Sequence, residues 1–202
     1  MFPDLTRDDV FRIETRHLWL RWPRASDVDD FARLASDKAV AEMTTCLPHP
    51  FGSGEAEDFV IGSRRVNLEG RGLVLALSPH SDPAALIGLV GLQVQDDAAR
   101  SLMLGYWLGR PFWGQRLMTE AVAAIMDMAF LLTDAKHVHS PVRQDNAAAL
   151  KVLDRCGFPL PDLSDGANRF ATATIGRGEW LDARSSAADR IQLRGLASLP
   201  AV

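Results

Sequence analysis

The sequence predicts an α/β protein built on one mixed sheet in which most neighbouring strands are antiparallel. Short apolar runs separated by turn residues fill the first half of the chain, which is typical of strands connected by hairpins. Apolar residues then recur every three or four positions from about 115 to 132, which predicts a long helix with one buried face. Because this helix connects the predicted strands 102–108 and 137–142, those two strands should be parallel.

The chain begins with a predicted strand followed by a helix. Residues 15–22 alternate apolar and other side chains, as a half-buried strand does, and Pro23 ends the run. Ser26 is placed to cap the helix that follows. Its first turn carries Asp27 and Asp29, where acidic groups favour the positive end of the helix dipole.

A second helix and a β-hairpin follow. The segment before residue 55 is rich in proline and glycine, so the helix should run from Glu55 to Leu68, with Gly70 and Gly72 after its end. Strands at 73–77 and 85–94 flank a connection rich in turn residues. Up to this point the sheet should be antiparallel and built from neighbours.

Beyond the middle helix the assignments become less regular. The predicted elements are a strand at 137–142, a short helix at 146–155, a strand at 169–175, a turn at 176–178 and a further strand near 191–193. Gly157 is well placed to end the short helix with a positive φ angle. Residues 182–189 are expected to be loosely ordered.

Bulk properties predict one domain over residues 1–195 with a C-terminal tail at 196–202. A chain of 202 residues with 47% hydrophobic residues can build a full core. Its formal charge of −4 argues against nucleic acid and anionic membranes as partners. No run approaches the roughly 18 apolar residues of a membrane span, and the first nine residues do not resemble a signal peptide. Cys46 and Cys156 lack metal-ligand spacing. We therefore expect a cytoplasmic protein without a disulfide or a metal.

The segment from Gly105 to Ala121 is the most informative stretch of the sequence. It reads Gly-Tyr-Trp-Leu-Gly-Arg-Pro-Phe-Trp-Gly-Gln-Arg-Leu-Met-Thr-Glu-Ala, a strand end, a tight loop and a helix start. The first turn of a helix leaves main-chain N–H groups without partners inside the helix. Such groups form a ready anion site, so this loop is the expected binding site.

Four stretches resemble the GNAT superfamily of acyl-CoA-dependent N-acetyltransferases. Their sequence motifs are similar to those of its RimJ/RimL-like branch of ribosomal-protein and small-amine acetyltransferases. These stretches are residues 15–21, residues 105–108, residues 112–114 together with 118–121, and residues 146–158. The resemblance covers roughly residues 13–195. It implies the GNAT fold, a twisted sheet with a central parallel pair splayed apart and helices on both faces.

The resemblance also implies acetyl-CoA as the cofactor, with no metal. Its pyrophosphate would meet main-chain amides from about Gly114 to Thr119, and its pantetheine arm would lie in the gap between the splayed strands. The residues implied in cofactor binding are Tyr106, Trp107, Leu108, Arg110, Phe112, Trp113, Gly114, Gln115, Arg116, Leu117, Met118, Thr119, Asn146, Ala149, Lys151 and Arg155. The amides near Trp107 and Leu108 would stabilise an oxyanion.

Several of these residues have plainer interpretations. The four basic side chains among them could simply be exposed charges, and Trp107 could belong to the core. Asn146 could serve only as a helix cap. Arg116 stands where the family usually has glycine or alanine. If its backbone were left-handed it would cost about 1–2 kcal/mol, and we favour the helical alternative, in which the arginine is tolerated and can contact phosphate.

The implied reaction is direct attack of an amine on the thioester, which requires the amine to be neutral. Candidate bases are His139 on a strand, His49 in a loop, and Asp96 or Asp97 at a turn. Met103 stands where many relatives have a glutamate, and neither it nor Ala149, which replaces a serine, can transfer a proton. Two hypotheses therefore stay open: an active N-acetyltransferase, or a CoA-binding or sensing module that has lost turnover.

The acceptor site is expected between the loop 44–51 and the inner ends of the neighbouring strands. Candidate substrate-binding residues are Glu42, Phe51, Gln93 and Met103. The amine could be a protein N-terminus, a free amino acid, a polyamine or an aminoglycoside, and the sequence does not choose among them. The oligomeric state also stays open, although Trp19 or the tail could serve a homodimer.

Overall fold

The computed structural model describes residues 2–44, 51–96, 100–161 and 169–185. They form one seven-stranded sheet in which the strands lie side by side in chain order. The strands are β1 (Arg12–Glu14), β2 (Leu18–Arg21), β3 (Gly72–Pro79), β4 (Gly88–Asp96), β5 (Ser101–Leu108), β6 (His137–Arg143) and β7 (Phe170–Gly176). The helices are α1 (Val28–Ala35), α2 (Lys38–Ala41), α3 (Ser53–Leu68), α4 (Leu117–Leu132), α5 (Ala147–Arg155) and α6 (Arg177–Ser185).

The predicted topology is confirmed. Only β5 and β6 pair in parallel, and the other neighbouring strands are antiparallel. The crossover through α4 explains this difference, since two strands that are connected by a helix across one sheet run in the same direction. The strand predicted at 15–22 is β2, Leu18–Arg21, and it forms a hairpin with the preceding strand β1. The sequence did not indicate β1, which is only three residues long.

Helices cover both faces of the sheet. On one face, Leu75 and Leu104 share a core with Ile125 of α4, Leu153 of α5 and Trp180 of α6. The period-two alternation of the strands sends their other side chains to the opposite face. There the helices α1 and α3 pack over β3, β4 and the end of β5. The second half of β5 therefore lies between two packed layers.

The turn predicted at residues 176–178 is wrong, because α6 begins at Arg177 directly after β7. The Arg177 guanidinium donates to the carbonyl oxygens of Phe130, Thr133 and Ala135 at the end of α4, and so satisfies groups that the helix end leaves free. Residues 182–185, expected to be loose, are helical. The strand predicted near 191–193 and the tail lie outside the described residues.

The cap predicted at Ser26 is also wrong. A 3-10 turn at Ala25–Asp27 precedes α1, and the Asp27 side chain accepts from the main-chain N–H of Arg24 at 2.7 Å. The same carboxylate receives two parallel hydrogen bonds from the guanidinium of Arg21, at 2.8 and 2.7 Å. Both side chains are buried, with exposed fractions of 5% and 0%. This ion pair joins β2 to the start of α1.

The parallel strands β5 and β6 separate shortly after they meet. They pair only at Ser101–Met103 with His137–His139, while β5 stays paired with β4 up to Leu108 and β6 with β7 up to Arg143. The two strands therefore diverge into a wedge that is closed at Met103 and His139 and open toward the end of β5. This divergence confirms the splayed parallel pair implied by the family resemblance.

A proline stands at the point of separation. The N–H of Gln144, just after β6, donates to the carbonyl of Arg169 on the β7 side. Because the direction of main-chain N–H and C=O groups alternates along a strand, the even-numbered residues of β6 direct these groups toward β7 and the odd-numbered residues direct them toward β5. Pro141 is the first odd-numbered residue after His139, and it has no N–H to donate to β5. Instead, the hydroxyl of Ser140 donates to the carbonyl of Leu104 at 3.3 Å. Pro141 thus ends the parallel ladder without disturbing the pairing of β6 with β7.

We expect Asp27→Ala to lower the free energy of unfolding by about 3–5 kcal/mol, because it leaves the Arg21 guanidinium buried without its carboxylate. Urea denaturation measures the change. Asp29→Ala, at an exposed position on the same helix, is the control and should stay within about 0.5 kcal/mol of the parent protein. Similar small losses for both variants would contradict the buried ion pair.

Candidate functional site

The loop between β5 and α4 presents a row of unused main-chain donors. After a 3-10 turn at Arg110–Phe112, the chain bends through Gly114, whose φ is +77°. Within the described part of the chain, the N–H groups from Gly114 to Thr119 have no hydrogen-bond acceptor. The dipole of the 16-residue helix α4 adds partial positive charge at the same place. The loop can therefore bind an anion through its backbone.

The backbone of Arg116 is left-handed, with φ +63° and ψ +7°, and the residue forms the N-cap of α4. Our preference for a helical Arg116 is therefore wrong, and α4 begins at Leu117 instead of near residue 115. A left-handed residue at this point lets the chain turn sharply into the helix while its N–H groups stay exposed in the loop. Glycine, one of the two residues that the family usually has at this position, adopts this conformation without strain.

Main-chain donors also line one side of the wedge. Gly109 donates to the carbonyl of Ile87 on the β4 side, whereas the carbonyl of Leu104 meets Ser140 of β6. Since the direction of main-chain groups alternates along a strand, the N–H groups of Tyr106 and Leu108 face the wedge. The N–H of Trp107 faces β4. Our expectation that Trp107 and Leu108 both supply amides is therefore corrected to Tyr106 and Leu108.

Trp113 lies at the open end of the wedge. Its indole N–H donates to the carbonyl of Leu108 at 2.6 Å, and 42% of the residue is exposed. The side-chain amide of Gln115 donates to the carbonyl of Pro111 at 3.3 Å, which closes the loop on itself. These two contacts fix the loop against the end of β5.

Other predicted cofactor residues pack into the protein. Phe112 and Leu117 are partly buried against the core, Met118 is buried, and Trp107 stacks on Phe31 with ring centroids 5.0 Å apart. The plainer interpretation of Trp107 as a core residue therefore describes its side chain. The hydroxyl of Thr119 is buried and has no partner in the described part of the chain. Of these residues, Leu117, Met118 and Thr119 offer a main-chain N–H to a ligand, whereas the N–H of Trp107 faces β4 and that of Phe112 donates to the carbonyl of Gly109.

Four basic residues are predicted to contact a ligand at the loop. Arg116, Lys151 and Arg155 are exposed, and among the described residues no carboxylate lies within 4.0 Å of their charged groups. Arg110 is exposed too, but its guanidinium lies 3.9 Å from the Asp37 carboxylate. Three of the four are thus unpaired in a chain whose net charge is negative, so they can contact phosphate oxygens.

The start of α5 follows β6 and contacts β5, so it lies beside the wedge. Asn146 is its N-cap and accepts from the N–H of Ala149 at 3.0 Å, as predicted, while its side-chain amide donates to the carbonyl of Met43 at 3.1 Å. The Tyr106 hydroxyl donates to the carbonyl of Ala149 at 3.1 Å. Burial raises the pKa of Tyr106, and it raises that of the Cys156 thiol to about 12. Both groups therefore stay protonated at neutral pH.

A carboxylate of α4 attaches the helix to the first hairpin. Glu120 accepts from the main-chain N–H of His17 at 2.7 Å and from the hydroxyl of Thr15 at 2.5 Å, and it pairs with the His17 ring at 2.7 Å. Partial burial acts to raise the pKa of Glu120, but these hydrogen bonds outweigh it and the pKa is lowered. No role for His17 is evident from the sequence alone. Glu120 and His17 together hold the anion-binding end of α4 against the sheet.

The predicted acceptor residues meet on the other face of the sheet. Gln93 lies opposite Met103, and Met103 lies opposite His139, so the three side chains form a row across β4, β5 and β6. Two residues further along β5 is Gly105, where a Cβ atom would meet nothing within 4 Å. The row and this gap border the closed end of the wedge. They form a surface from which a small group can reach the wedge.

Two other predicted acceptor residues are placed differently. Phe51 is buried and packs on Phe31 at 4.9 Å, so its ring contributes to the core and not to an open surface. Glu42 is exposed at the end of α2, with its carboxylate 3.7 Å from Lys38. The hydrogen bonds that the Arg143 guanidinium donates to the Asp145 carboxylate raise the pKa of Arg143, and the nearby charge of Glu42 adds to this shift. Glu42 therefore lies close to the exit of β6.

Of the candidate bases, His139 is the one that the structure brings to the wedge. It is half-buried, and its Nδ1 lies 2.8 Å from the Thr174 hydroxyl. His49 and Asp97 lie outside the described residues, as does the side chain of Asp96. Among the residues that are described, His, Cys, Asp and Glu form no group that could hold a metal ion. Nor does this part of the chain contain a helix long and apolar enough to cross a bilayer.

Comparisons with known proteins agree with this geometry. A family model described as an acetyltransferase (GNAT) domain matches residues 17–159. An uncharacterized N-acetyltransferase p20 from Bacillus licheniformis is 26% identical over 144 residues, 71% of this chain and 80% of that protein. A probable N-acetyltransferase YjcK from Bacillus subtilis is 34% identical over 74 residues, 36% of this chain and 41% of that protein.

Solved structures share the fold. Mycobacterium smegmatis RimJ in complex with CoA-disulfide superposes with a TM-score of 0.69 at 21% identity, covering 87% of this chain and 95% of that one. RimL, a ribosomal L7/L12 alpha-N-protein acetyltransferase in complex with coenzyme A, gives a TM-score of 0.71 at 20% identity, with 82% and 98% covered. At these identities the likeness concerns the fold alone.

We expect Arg116→Gly to raise the free energy of unfolding by about 1 kcal/mol. A left-handed backbone costs a non-glycine residue about 1–2 kcal/mol, and the greater freedom of glycine in the unfolded chain offsets part of the gain. Urea denaturation measures this change in the free energy of unfolding. Arg116→Ala, which removes the same exposed side chain and keeps the strained backbone, is the control and should match the parent protein. Equal stabilities for the glycine and alanine variants would argue against a left-handed residue 116.

Proposed function

The chain belongs to the acetyltransferase (GNAT) family, and on this premise we propose that it transfers an acetyl group from acetyl-CoA to a primary amine. The observation that carries the proposal is the wedge between β5 and β6, which opens directly beside the anion-binding loop. A ligand with phosphates at one end and an extended arm at the other fits both features together. Acetyl-CoA has this shape, and when bound it supplies an activated thioester.

The loop would hold the pyrophosphate. Its donors are the main-chain N–H groups from Gly114 to Thr119, at the positive end of α4. The exposed guanidinium and ammonium groups of Arg116, Lys151 and Arg155 would add charge-assisted contacts around it. Because the backbone supplies most of the donors, the site tolerates an unusual side chain at position 116.

The wedge would hold the arm. The N–H groups of Tyr106 and Leu108 point into it and can pair with the amides of an extended ligand as a neighbouring strand would. Since the phosphates lie at the open end, the thioester would lie toward the closed end, near Met103 and His139. The Tyr106 N–H is the deeper of the two donors, and it is suited to stabilise the negative oxygen that forms on the thioester carbon.

The acceptor amine would approach from the face that carries Gln93, Met103 and His139. The gap above Gly105 leaves room for it beside the wedge. His139 is suited to remove a proton from the ammonium group, because histidine titrates near neutrality and this one lies at the closed end of the wedge. The neutral amine would then attack the thioester carbon, the carbon–sulfur bond would break, and the second amine proton would pass to the departing sulfur, which leaves as the thiol.

The identity of the amine is an open part of the proposal. One structural neighbour, RimL, is named as a ribosomal L7/L12 alpha-N-protein acetyltransferase, and this similarity favours a protein N-terminus as the first acceptor to test. The acceptor face also suits a small amine, because Gly105 and Gln93 are exposed there and carry no charge.

A second candidate is a CoA-binding module without turnover. It is favoured by Met103 and Ala149, neither of which can transfer a proton. Calorimetry with acetyl-CoA, followed by thiol release against peptides with free N-termini and small amines, separates the two functions. We expect binding and thiol release with at least one amine. Binding without release for any amine would favour the second candidate, and no binding would contradict both.

We expect Gly114→Glu to raise the dissociation constant of acetyl-CoA roughly tenfold or more relative to Gly114→Gln. The two variants share the same left-handed backbone strain and nearly the same volume, so they differ only in a negative charge at the anion site. No other group lies within 4 Å of the added Cβ, so both should fold. Calorimetry gives the two constants. Equal constants would place the phosphates elsewhere.

A further inference from the structure

His139 has a hydroxyl partner on the neighbouring strand. Thr174 of β7 lies directly opposite His139 of β6. Main-chain hydrogen bonds connect Gln144 to Arg169 and Lys136 to Arg177, so the even-numbered residues of β6 form the hydrogen-bonded pairs with β7. His139 is odd-numbered, and it therefore forms a non-hydrogen-bonded pair with Thr174. Side chains are closest in such pairs, and here the Thr174 Oγ1 lies 2.8 Å from the His139 Nδ1.

This contact bears on which ring nitrogen can act, because a threonine hydroxyl can either accept a hydrogen bond from Nδ1 or donate one to it. A neutral imidazole carries one N–H, and the nitrogen that lacks it is the base. If Nδ1 carries the proton, it donates to the Thr174 oxygen and the lone pair is on Nε2. The hydroxyl can accept from Nδ1 both before and after the ring takes up a second proton. The partner therefore suits a histidine that alternates between its neutral and charged forms.

His137 provides an internal comparison. It lies two residues earlier on the same face of β6, with its ring centroid 6.3 Å from that of His139. Its cross-strand partner is Gly176, which has no side chain. His137 is exposed and His139 is half-buried. Only His139 thus combines a hydroxyl partner with a position beside the closed end of the wedge.

We propose that Thr174 is a positioning residue that keeps the proton of His139 on Nδ1, so that Nε2 takes a proton from the acceptor ammonium group. The inference rests on the proposed acetyl transfer. In this step one N–H bond of the ammonium breaks and one Nε2–H bond forms. The Nδ1–H bond and its contact with Thr174 persist. The freed electron pair of the amine is then available for attack on the thioester.

Steady-state kinetics with acetyl-CoA and the amine that gives the fastest thiol release test the inference. Thr174→Val keeps the volume and branching of the side chain but removes the hydroxyl, and we expect kcat to fall about tenfold with an unchanged KM for acetyl-CoA. Thr174→Ser restores the hydroxyl and should stay within about threefold of the parent enzyme. His139→Gln should lower kcat about 100-fold, and adding Thr174→Val to it should cause no further loss. His137→Gln is the control and should behave as the parent protein.

A second measurement does not depend on turnover. Two-bond ¹H–¹⁵N spectra report which nitrogen of each histidine ring is protonated. We expect the Nδ1–H form of His139 in the parent protein and in Thr174→Ser, and a shift toward Nε2–H in Thr174→Val. Normal kcat in Thr174→Val, or an Nε2–H form in the parent protein, would overturn the positioning role. A parent protein with the Nδ1–H form that acetylates no amine would instead overturn the proposed function and leave the tautomer assignment standing.

Discussion

The separation of β5 and β6 is the constraint on which the candidate site depends. A sheet normally satisfies every interior main-chain group, so a gap between two interior strands leaves donors and acceptors without partners. Here β6 keeps its full pairing with β7 while Pro141 interrupts its pairing with β5. The gap is stable because β4 and β7 hold the strands on either side and both strands contribute to the core beneath α4 and α5. On the other face, helices cover the end of β5 through Trp107. A ligand arm can then take the place of the missing pairing.

The sequence predicted most of the fold because the relevant signals are local. The periodicity of α4 identified the crossover, and the crossover implied the parallel pair. Asn146 and Gly157 marked the ends of α5 through a side-chain cap and a left-handed residue, with φ +81° at Gly157. The wrong predictions arise where contacts between elements distant in the sequence decide the local structure. Two glycines suggested a turn at 176–178, but Arg177 and Trp180 hold a helix there through contacts with α4.

The site was predictable in outline but not in detail. The loop from Gly114 to Thr119 could be identified because helix starts have unsatisfied donors in any protein. Which main-chain N–H groups of β5 face the wedge depends on how β5 pairs with β4 and β6. This register cannot be determined from the sequence of one strand. The partner of His139 depends on how β6 pairs with β7, so Thr174 carried no signal in the sequence. A buried Asp27 could have been suspected only from the arginine that faces it.

The position of Trp113 has a practical consequence. It is the most exposed of the five tryptophans, and its indole N–H is bonded to the carbonyl of Leu108, which faces the wedge. An arm that pairs with the end of β5 would approach that same carbonyl and lie beside the indole, which would change the solvent environment of the ring. Trp22, Trp107 and Trp180 are buried and removed from this exchange. The protein thus carries its own fluorescent reporter at the entrance of the gap, one that needs no label and no knowledge of the acceptor.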